Sequence, residues 1–179
     1  MEPEPTPIKS ILLVDDDPRD VELTLAALEG HHLANKVFVV QDGAEALDYL
    51  FRRGKFENRD GGDPIFVLLD NSMPKVSGLE VLTAMKADPH LKMIPVVALT
   101  SSSETPDLHE FYQQGVNSYV VKPVMFDDFM KVVQQLGVFW AAVNEPPPAA
   151  AIPEPSEKEV IYLGKKEVKN EFSSSHPAS

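Results

Sequence analysis

Ile65-Phe-Val-Leu-Leu-Asp70-Asn-Ser-Met-Pro74 runs five apolar residues straight into an acid and stops within four residues at a proline. A short unbroken apolar run with β-branched and aromatic members reads as a strand buried on both faces. The acid that closes it stands at the strand's carboxyl end, where open α/β sheets bind ligands. On its own, Asp70 could simply end the strand or cap the next helix. That plainer role loses ground because polar groups recur at matching places along the chain.

Upstream, Ile11-Leu-Leu-Val14 is a first buried strand, and Asp15-Asp16-Asp17 follows it. Asp17 suits an N-cap, Pro18 the first helical position, and Asp20 puts negative charge in the first turn. Val21, Leu25 and Leu28 fall at helical spacing, with Gly30 as the residue after the helix. Val37 to Gln41 is a second strand. Asp42-Gly43 opens a helix carrying Ala44, Leu47, Leu50 and Phe51, and the polar, Gly-rich stretch from Lys55 to Asp63 reads as an exposed loop.

Downstream of Asp70, Pro74 to Ser77 forms a turn. A helix with Leu79, Leu82 and Met85 on one face closes before Pro89. Val96-Val-Ala-Leu-Thr100 is the fourth strand. Thr105 and Pro106 read as cap and first residue of a helix carrying Leu108, Phe111 and Tyr112, which ends at Gly115. Ser118 to Lys122 is the fifth strand. The last helix presents Phe129, Val132, Val133, Leu136, Phe139, Trp140 and Val143. Five strands alternating with five helices imply a doubly wound α/β fold with a parallel sheet and helices on both faces.

The organisation expected is an N-terminal extension over 1–8, one domain over 9–143, and a tail over 144–179. The tail is rich in Pro and Ala, then in charged residues and Ser, and cannot bury a core of its own. Its one apolar island is Glu159-Val-Ile-Tyr-Leu163. The 179 residues suit one full core plus some excess. Apolar residues make up 43% and charged residues 25%, the balance of a soluble globular protein. The net charge of -12 disfavours a nucleic-acid partner and an anionic membrane surface. With no cysteine, disulfides, thiol catalysis and cysteine zinc sites are excluded. No apolar run approaches the roughly 20 residues that span a bilayer, and MEPEPTPIK lacks signal-peptide character, so the expected location is cytoplasmic.

In a parallel sheet the strands' carboxyl ends share one edge. That edge collects Asp15, Asp16, Asp70, Thr100 and Lys122. Crowded carboxylates repel and raise one another's pKa, and a hard divalent cation such as Mg²⁺ resolves the repulsion while keeping positions open for a phosphate. Thr100 offers a hydrogen-bond donor and Lys122 a mobile positive charge. Each has a purely structural alternative, a β-branched strand residue and a salt bridge. Together they suit phosphoryl transfer to a carboxylate, where catalysis is positioning and charge neutralisation.

Leu-Leu-Val-Asp-Asp-Asp-Pro, Leu-Leu-Asp70-Asn-Ser-Met-Pro-Lys-Val-Ser-Gly78, Ala-Leu-Thr100-Ser and Tyr119-Val-Val-Lys122-Pro123 resemble the receiver domain of two-component response regulators. The resemblance covers about Lys9 to Val143 and implies a flavodoxin-like sheet of order 2-1-3-4-5. It implies Asp70 as phosphoacceptor, with Asp15, Asp16, Asp70 and the backbone carbonyl of Ser72 holding Mg²⁺. It implies Thr100 and Lys122 as the phosphate-contacting hydroxyl and lysine, and Tyr119 as an aromatic that switches with Thr100. The chain would then be a phosphoacceptor that assists its own phosphorylation and dephosphorylation rather than an enzyme. A sensor histidine kinase would be its partner, and its output would be protein–protein contact.

A finer resemblance is to stand-alone regulators of phytochrome-type histidine kinases. It rests on Asp-Asp-x-Pro-x-Asp20, the long loop before the third strand, the Thr-Ser-Ser segment and Phe139-Trp140. It implies a homodimer through the C-terminal part of the receiver, although Phe139 and Trp140 could instead bury in the core. Ser72 departs from a frequent asparagine, and Ser102 occupies another position that tunes phosphate lifetime. Asp17 is read as a cap rather than a metal ligand. The rival is a haloacid-dehalogenase-like phosphatase with Asp15 as nucleophile. It lacks a cap domain and a convincing late acidic motif, since Asp127-Asp128 opens a helix. A dinucleotide-binding domain is discarded for want of G-x-G-x-x-G after the first strand. A docking-only pseudo-receiver is disfavoured by the intact Asp16, Asp70, Thr100 and Lys122.

Overall fold

Unbroken apolar runs can be covered on both sides only at the centre of a layered fold, and the runs Ile11–Val14, Phe66–Leu69 and Val96–Thr100 take that place. The computed structural model describes residues 10–29, 37–101 and 103–145. In chain order it contains β1 (Ile11–Val14), α1 (Pro18–Glu29), β2 (Val37–Val40), α2 (Gly43–Leu50) and β3 (Phe66–Leu69). Then come α3 (Gly78–Ala87), β4 (Val96–Thr100), α4 (Thr105–Gln113), β5 (Ser118–Val121) and α5 (Phe126–Val138). All strand pairs are parallel, in the order β2-β1-β3-β4-β5. This is the doubly wound, flavodoxin-like architecture expected.

Strand residues alternate between two cores. Leu12, Val14, Val67, Leu69, Val96 and Ala98 meet Ala46, Tyr49 and Leu50 of α2, Val81, Leu82 and Met85 of α3, and Phe111 of α4. Ile11, Leu13, Phe66, Leu68, Val97 and Leu99 meet Ala27 and Leu28 of α1 and Phe129 and Val133 of α5. The helices begin where their caps dictate. Asp17 Oδ1 accepts from Arg19 N at 2.8 Å, so Asp17 does cap α1. Asp42 Oδ1 accepts from Glu45 N at 2.7 Å. Ser77 and Glu80 form a reciprocal capping box on α3.

Several expectations need correction. Thr105 is the first residue of α4, not its cap; Glu104 takes the cap position, and its side chain does not cap the helix. On α2, Leu50 is buried and Leu47 and Phe51 pack against the core as expected, but Ala46 and Tyr49 complete the buried face. Of the apolar residues on α4 only Phe111 is buried; Leu108 and Tyr112 face outward. The strands β2, β3 and β5 are each shorter than read, and Asp70 and Lys122 lie just past their strands. Gly30, Ser102, the N-terminal extension and the Glu159 to Leu163 island lie outside the described residues.

The loop before β3 is exposed but pinned. The Arg59 guanidinium lies 4.3 Å from the Tyr49 ring centroid, its Nε donates to the Tyr49 carbonyl at 3.1 Å, and Asp63 pairs with both Arg59 and His90. After α5 the chain continues through a π-helical turn, Phe139–Val143. The two alternatives for Phe139 and Trp140 divide there. Trp140 packs against the α1/α5 core, whereas Phe139 is 49% and Val143 62% exposed. Among the described residues no helix is long and apolar enough to cross a membrane.

Candidate functional site

Backbone bonds bring the expected site residues to one level at the carboxyl edge of the sheet. Asp70 N donates to Val14 O at 2.9 Å, Asp15 N to Val40 O at 3.2 Å, and Lys122 N to Thr100 O at 2.8 Å. The strands thus end together, and the residues after β1, β3 and β5 (Asp15, Asp70 and Lys122) meet in a shared pocket. Carboxylate oxygens of Asp15, Asp16 and Asp70 all lie within 4.8 Å of one another. Lys122 Nζ reaches Asp15 Oδ2 at 2.8 Å, Asp20 Oδ2 at 2.7 Å and Asp70 Oδ1 at 3.3 Å.

Asp15 and Asp70 are nearly withdrawn from water, at 2% and 6% exposure, and Thr100 is fully buried. Burial pushes both carboxyls above the usual carboxylate range, and the opposing pull of Lys122 does not cancel it. Burial pushes the Lys122 ammonium down, but its bonds to Asp15 and Asp20 outweigh this and hold it above the ordinary lysine value. The pocket is therefore short of positive charge even with the lysine in place. Three hard oxygen donors, two of them poorly hydrated, fit a divalent cation that prefers oxygen ligands.

The loop after β3 fixes the Asp70 carboxylate. Ser72 N donates to Asp70 Oδ2 at 3.0 Å. Asn71 ties the loop to α3, its carbonyl accepting from Gly78 N at 3.1 Å and its side chain from Leu79 N at 3.3 Å. Pro74 to Val76 closes tightly, with Lys75 at a φ of +68° and its Nζ 2.5 Å from Asp42 Oδ2. Asp17 N donates to Asp15 Oδ1 at 3.0 Å, but the Asp17 carboxylate stands outside the cluster of three. Tyr119, on β5, is half-buried and meets Phe111 edge-on, with ring centroids 5.4 Å apart.

Two contributors were not assigned a role in the pocket from sequence. Asn71 had no signal beyond its place after Asp70. Asp20 stood out only as a first-turn acid and part of Asp-Asp-x-Pro-x-Asp20. No rule of local spacing ties a residue of α1 to one that follows β5 102 positions away.

A five-stranded 2-1-3-4-5 sheet with a carboxylate cluster and a lysine at its carboxyl edge defines a receiver-type phosphoacceptor module. The chain belongs to the response regulator receiver domain family, whose model matches residues 11–134. Response regulator Rcp1 of Synechocystis sp. is 37% identical over 140 residues, covering 78% of this chain and 94% of Rcp1. Its solved Mn²⁺-bound form superposes with a TM-score of 0.73, at 36% identity over 78% of this chain and 99% of that one. The phosphorylated cyanobacterial phytochrome response regulator RcpA gives 0.74 at 36% identity, covering 78% and 99%. The bacteriophytochrome response regulator AtBRR is 59% identical over 79% of this chain and 100% of its own, with a TM-score of 0.63.

Receiver domains are phosphoacceptors that take part in two-component signalling with a histidine kinase and hold a divalent metal at this acidic pocket. The haloacid-dehalogenase-like alternative finds no support. Asp127 and Asp128 are exposed in the first turn of α5 and stand apart from the carboxylate cluster.

Proposed function

We propose that Asp70 accepts a phosphoryl group from the phosphohistidine of a sensor histidine kinase, and that the surrounding pocket assists both its arrival and its hydrolytic loss. The observation that carries this reading is the meeting of Asp70 with two further carboxylates and with Lys122 Nζ, 3.3 Å from its Oδ1. The donor's N–P bond breaks as an Asp70 carboxylate oxygen bonds to phosphorus, and the electron pair returns to the imidazole nitrogen. Later attack of water on phosphorus regenerates the carboxylate and releases phosphate. Negative charge spreads over three phosphoryl oxygens in transit, so neutralisation and positioning supply the rate. Lys122 neutralises from one side, and the Thr100 hydroxyl positions the group from the end of β4. Asp15, Asp16, Asp70 and the Ser72 carbonyl are the proposed ligands of Mg²⁺, which when bound supplies Lewis-acid neutralisation of the phosphoryl oxygens.

Movement of Thr100 toward the phosphoryl group, followed inward by Tyr119, is the proposed switch that re-shapes β4, α4, β5 and α5. Output then passes by protein–protein contact rather than to nucleic acid or a membrane, in keeping with a net charge of -12. The phytochrome-type character of the kinase rests on the likeness to Rcp1, RcpA and AtBRR. The exposed Phe139 and Val143 at the C-terminal end of the receiver support a homodimer there. The receiver unit is taken as 9–143, with 1–8 and 144–179 as extension and tail, and the setting as cytoplasmic.

The test is intact-mass analysis after incubation with acetyl phosphate, with and without Mg²⁺. The expected result is a phosphate adduct that needs Mg²⁺ and disappears in Asp70→Asn. An adduct that persists in Asp70→Asn and disappears in Asp15→Asn would overturn the assignment.

A further inference from the structure

An ammonium has three N–H donors; Lys122 gives one to Asp15 and one to Asp20, and pairs with Asp70 at 3.3 Å. The three carboxylates are not equivalent. Asp15 and Asp70 are members of the carboxylate cluster, with side chains 3% and 7% exposed. Asp20 stands outside the cluster, in the first turn of α1, with its side chain 27% exposed. Yet it makes the shortest contact, 2.7 Å against 3.3 Å for Asp70. A cleft of about 330 Å³ opens beside the pair, lined by Asp20, Leu23, Ser101, Lys122, Phe126 and Phe129. Asp20 is thus the partner of Lys122 that solvent and an arriving anion reach.

We propose that Asp20 is a positioning residue, which holds Lys122 Nζ on the α1 side of the pocket while Asp70 is unmodified and releases it to the phosphoryl oxygens. The proposal rests on the reading of Asp70 as phosphoacceptor. With two of its donors turned to Asp15 and Asp20, Lys122 can turn fully to a phosphoryl group on Asp70 only if one of those two carboxylates gives way. A buried carboxylate left without its cation is costly. Asp20, at the open cleft, can turn to water instead. Its hold on the lysine therefore opposes every phosphorylation, and its charge also repels the incoming anion.

The experiment uses the full chain and the variants Asp20→Asn and Asp20→Glu. It reads the rate of adduct formation with acetyl phosphate and Mg²⁺, and the affinity for beryllofluoride, a phosphoryl mimic. Thermal midpoint does not discriminate, because losing a first-turn acid lowers it under any account. Asp20→Asn is expected to raise both the rate and the affinity by about three- to tenfold. Asp20→Glu, which keeps the charge, returns both toward the wild-type values. Unchanged or lower values in Asp20→Asn overturn the proposal, as does an Asp20→Glu that behaves like Asp20→Asn. A wild-type chain that takes neither phosphate nor beryllofluoride is a separate result: it removes the phosphoacceptor reading, and this inference falls with it.

Discussion

A Cβ built on Gly78 would lie 2.1 Å from the carbonyl oxygen of Asp70. The first residue of α3 therefore packs directly on the backbone of the proposed phosphoacceptor, and only glycine leaves room. Gly78→Ala must push the β3–α3 loop away from the pocket. The expected cost is about 1–3 kcal/mol, the range for overpacking a well-filled site. That is roughly 2–4 °C in thermal midpoint per kcal/mol for a chain of this size. Mg²⁺ affinity, followed by titration, should fall with it, because the loop carries both Asp70 and Ser72.

Asp70→Asn separates the electrostatic cost of the pocket from its use. Burial holds the Asp70 carboxyl above its ordinary pKa, so its ionised form destabilises the metal-free fold near neutral pH. Without Mg²⁺, Asp70→Asn is expected to melt above the wild-type protein, by roughly 2–4 °C if about 1 kcal/mol is relieved. With Mg²⁺ the order reverses. A ligand at 100 times its Kd adds about 2.7 kcal/mol to a protein that binds it, and the variant has lost a ligand. Melting curves with and without Mg²⁺ measure both effects.

The same shift fixes a pH dependence. A carboxyl whose pKa is raised on folding binds its proton more tightly in the folded than in the unfolded chain, so its contribution to stability grows as pH falls. Asp70 is such a group, and so is Asp15. The metal-free advantage of Asp70→Asn should therefore shrink as pH falls from neutral through the raised folded value. It should vanish near the ordinary aspartate value of about 3.9. Protons and Mg²⁺ compete for the same oxygens, so the stabilisation by Mg²⁺ should fade over the same window. Melting temperatures of both proteins across a pH series check the sign.

Asp42 caps α2 through Oδ1 and holds Lys75 through Oδ2. The Lys75 bond and the Glu45 amide lower its pKa. Asp42→Ala is expected to cost about 1 kcal/mol, the usual value of an N-cap. Asp42→Asn should cost less, since it keeps a capping oxygen and loses only a pair to a lysine whose side chain is 67% exposed. Chemical denaturation of the two variants distinguishes cap from ion pair.

The sheet was legible in the sequence because its strands are unbroken apolar runs, and a polar residue follows each of the central ones. Parallel topology then brings those residues together whatever the details of the helices. That is why the sequence alone collects Asp15, Asp16, Asp70, Thr100 and Lys122 on one edge. Helix faces were less legible. Tyr49 buries its ring in the core, while Leu108 and Tyr112 on α4 stay exposed. Periodicity marks an apolar stripe but not whether anything covers it. The grip of Asp20 on Lys122 was not legible at all. It depends on the approach of the first turn of α1 to the chain after β5, which is set by packing of the whole α1/α5 layer.

Asp70, rather than Asp15, is the residue proposed to carry the phosphoryl group. Borohydride reduces an aspartyl phosphate to homoserine, which survives digestion and marks the residue. The protein would be treated with acetyl phosphate and Mg²⁺, reduced, digested and sequenced by tandem mass spectrometry. The expected result is homoserine at position 70 and aspartate at position 15. Homoserine at position 15, or at neither position in a chain that has taken up phosphate, would contradict it.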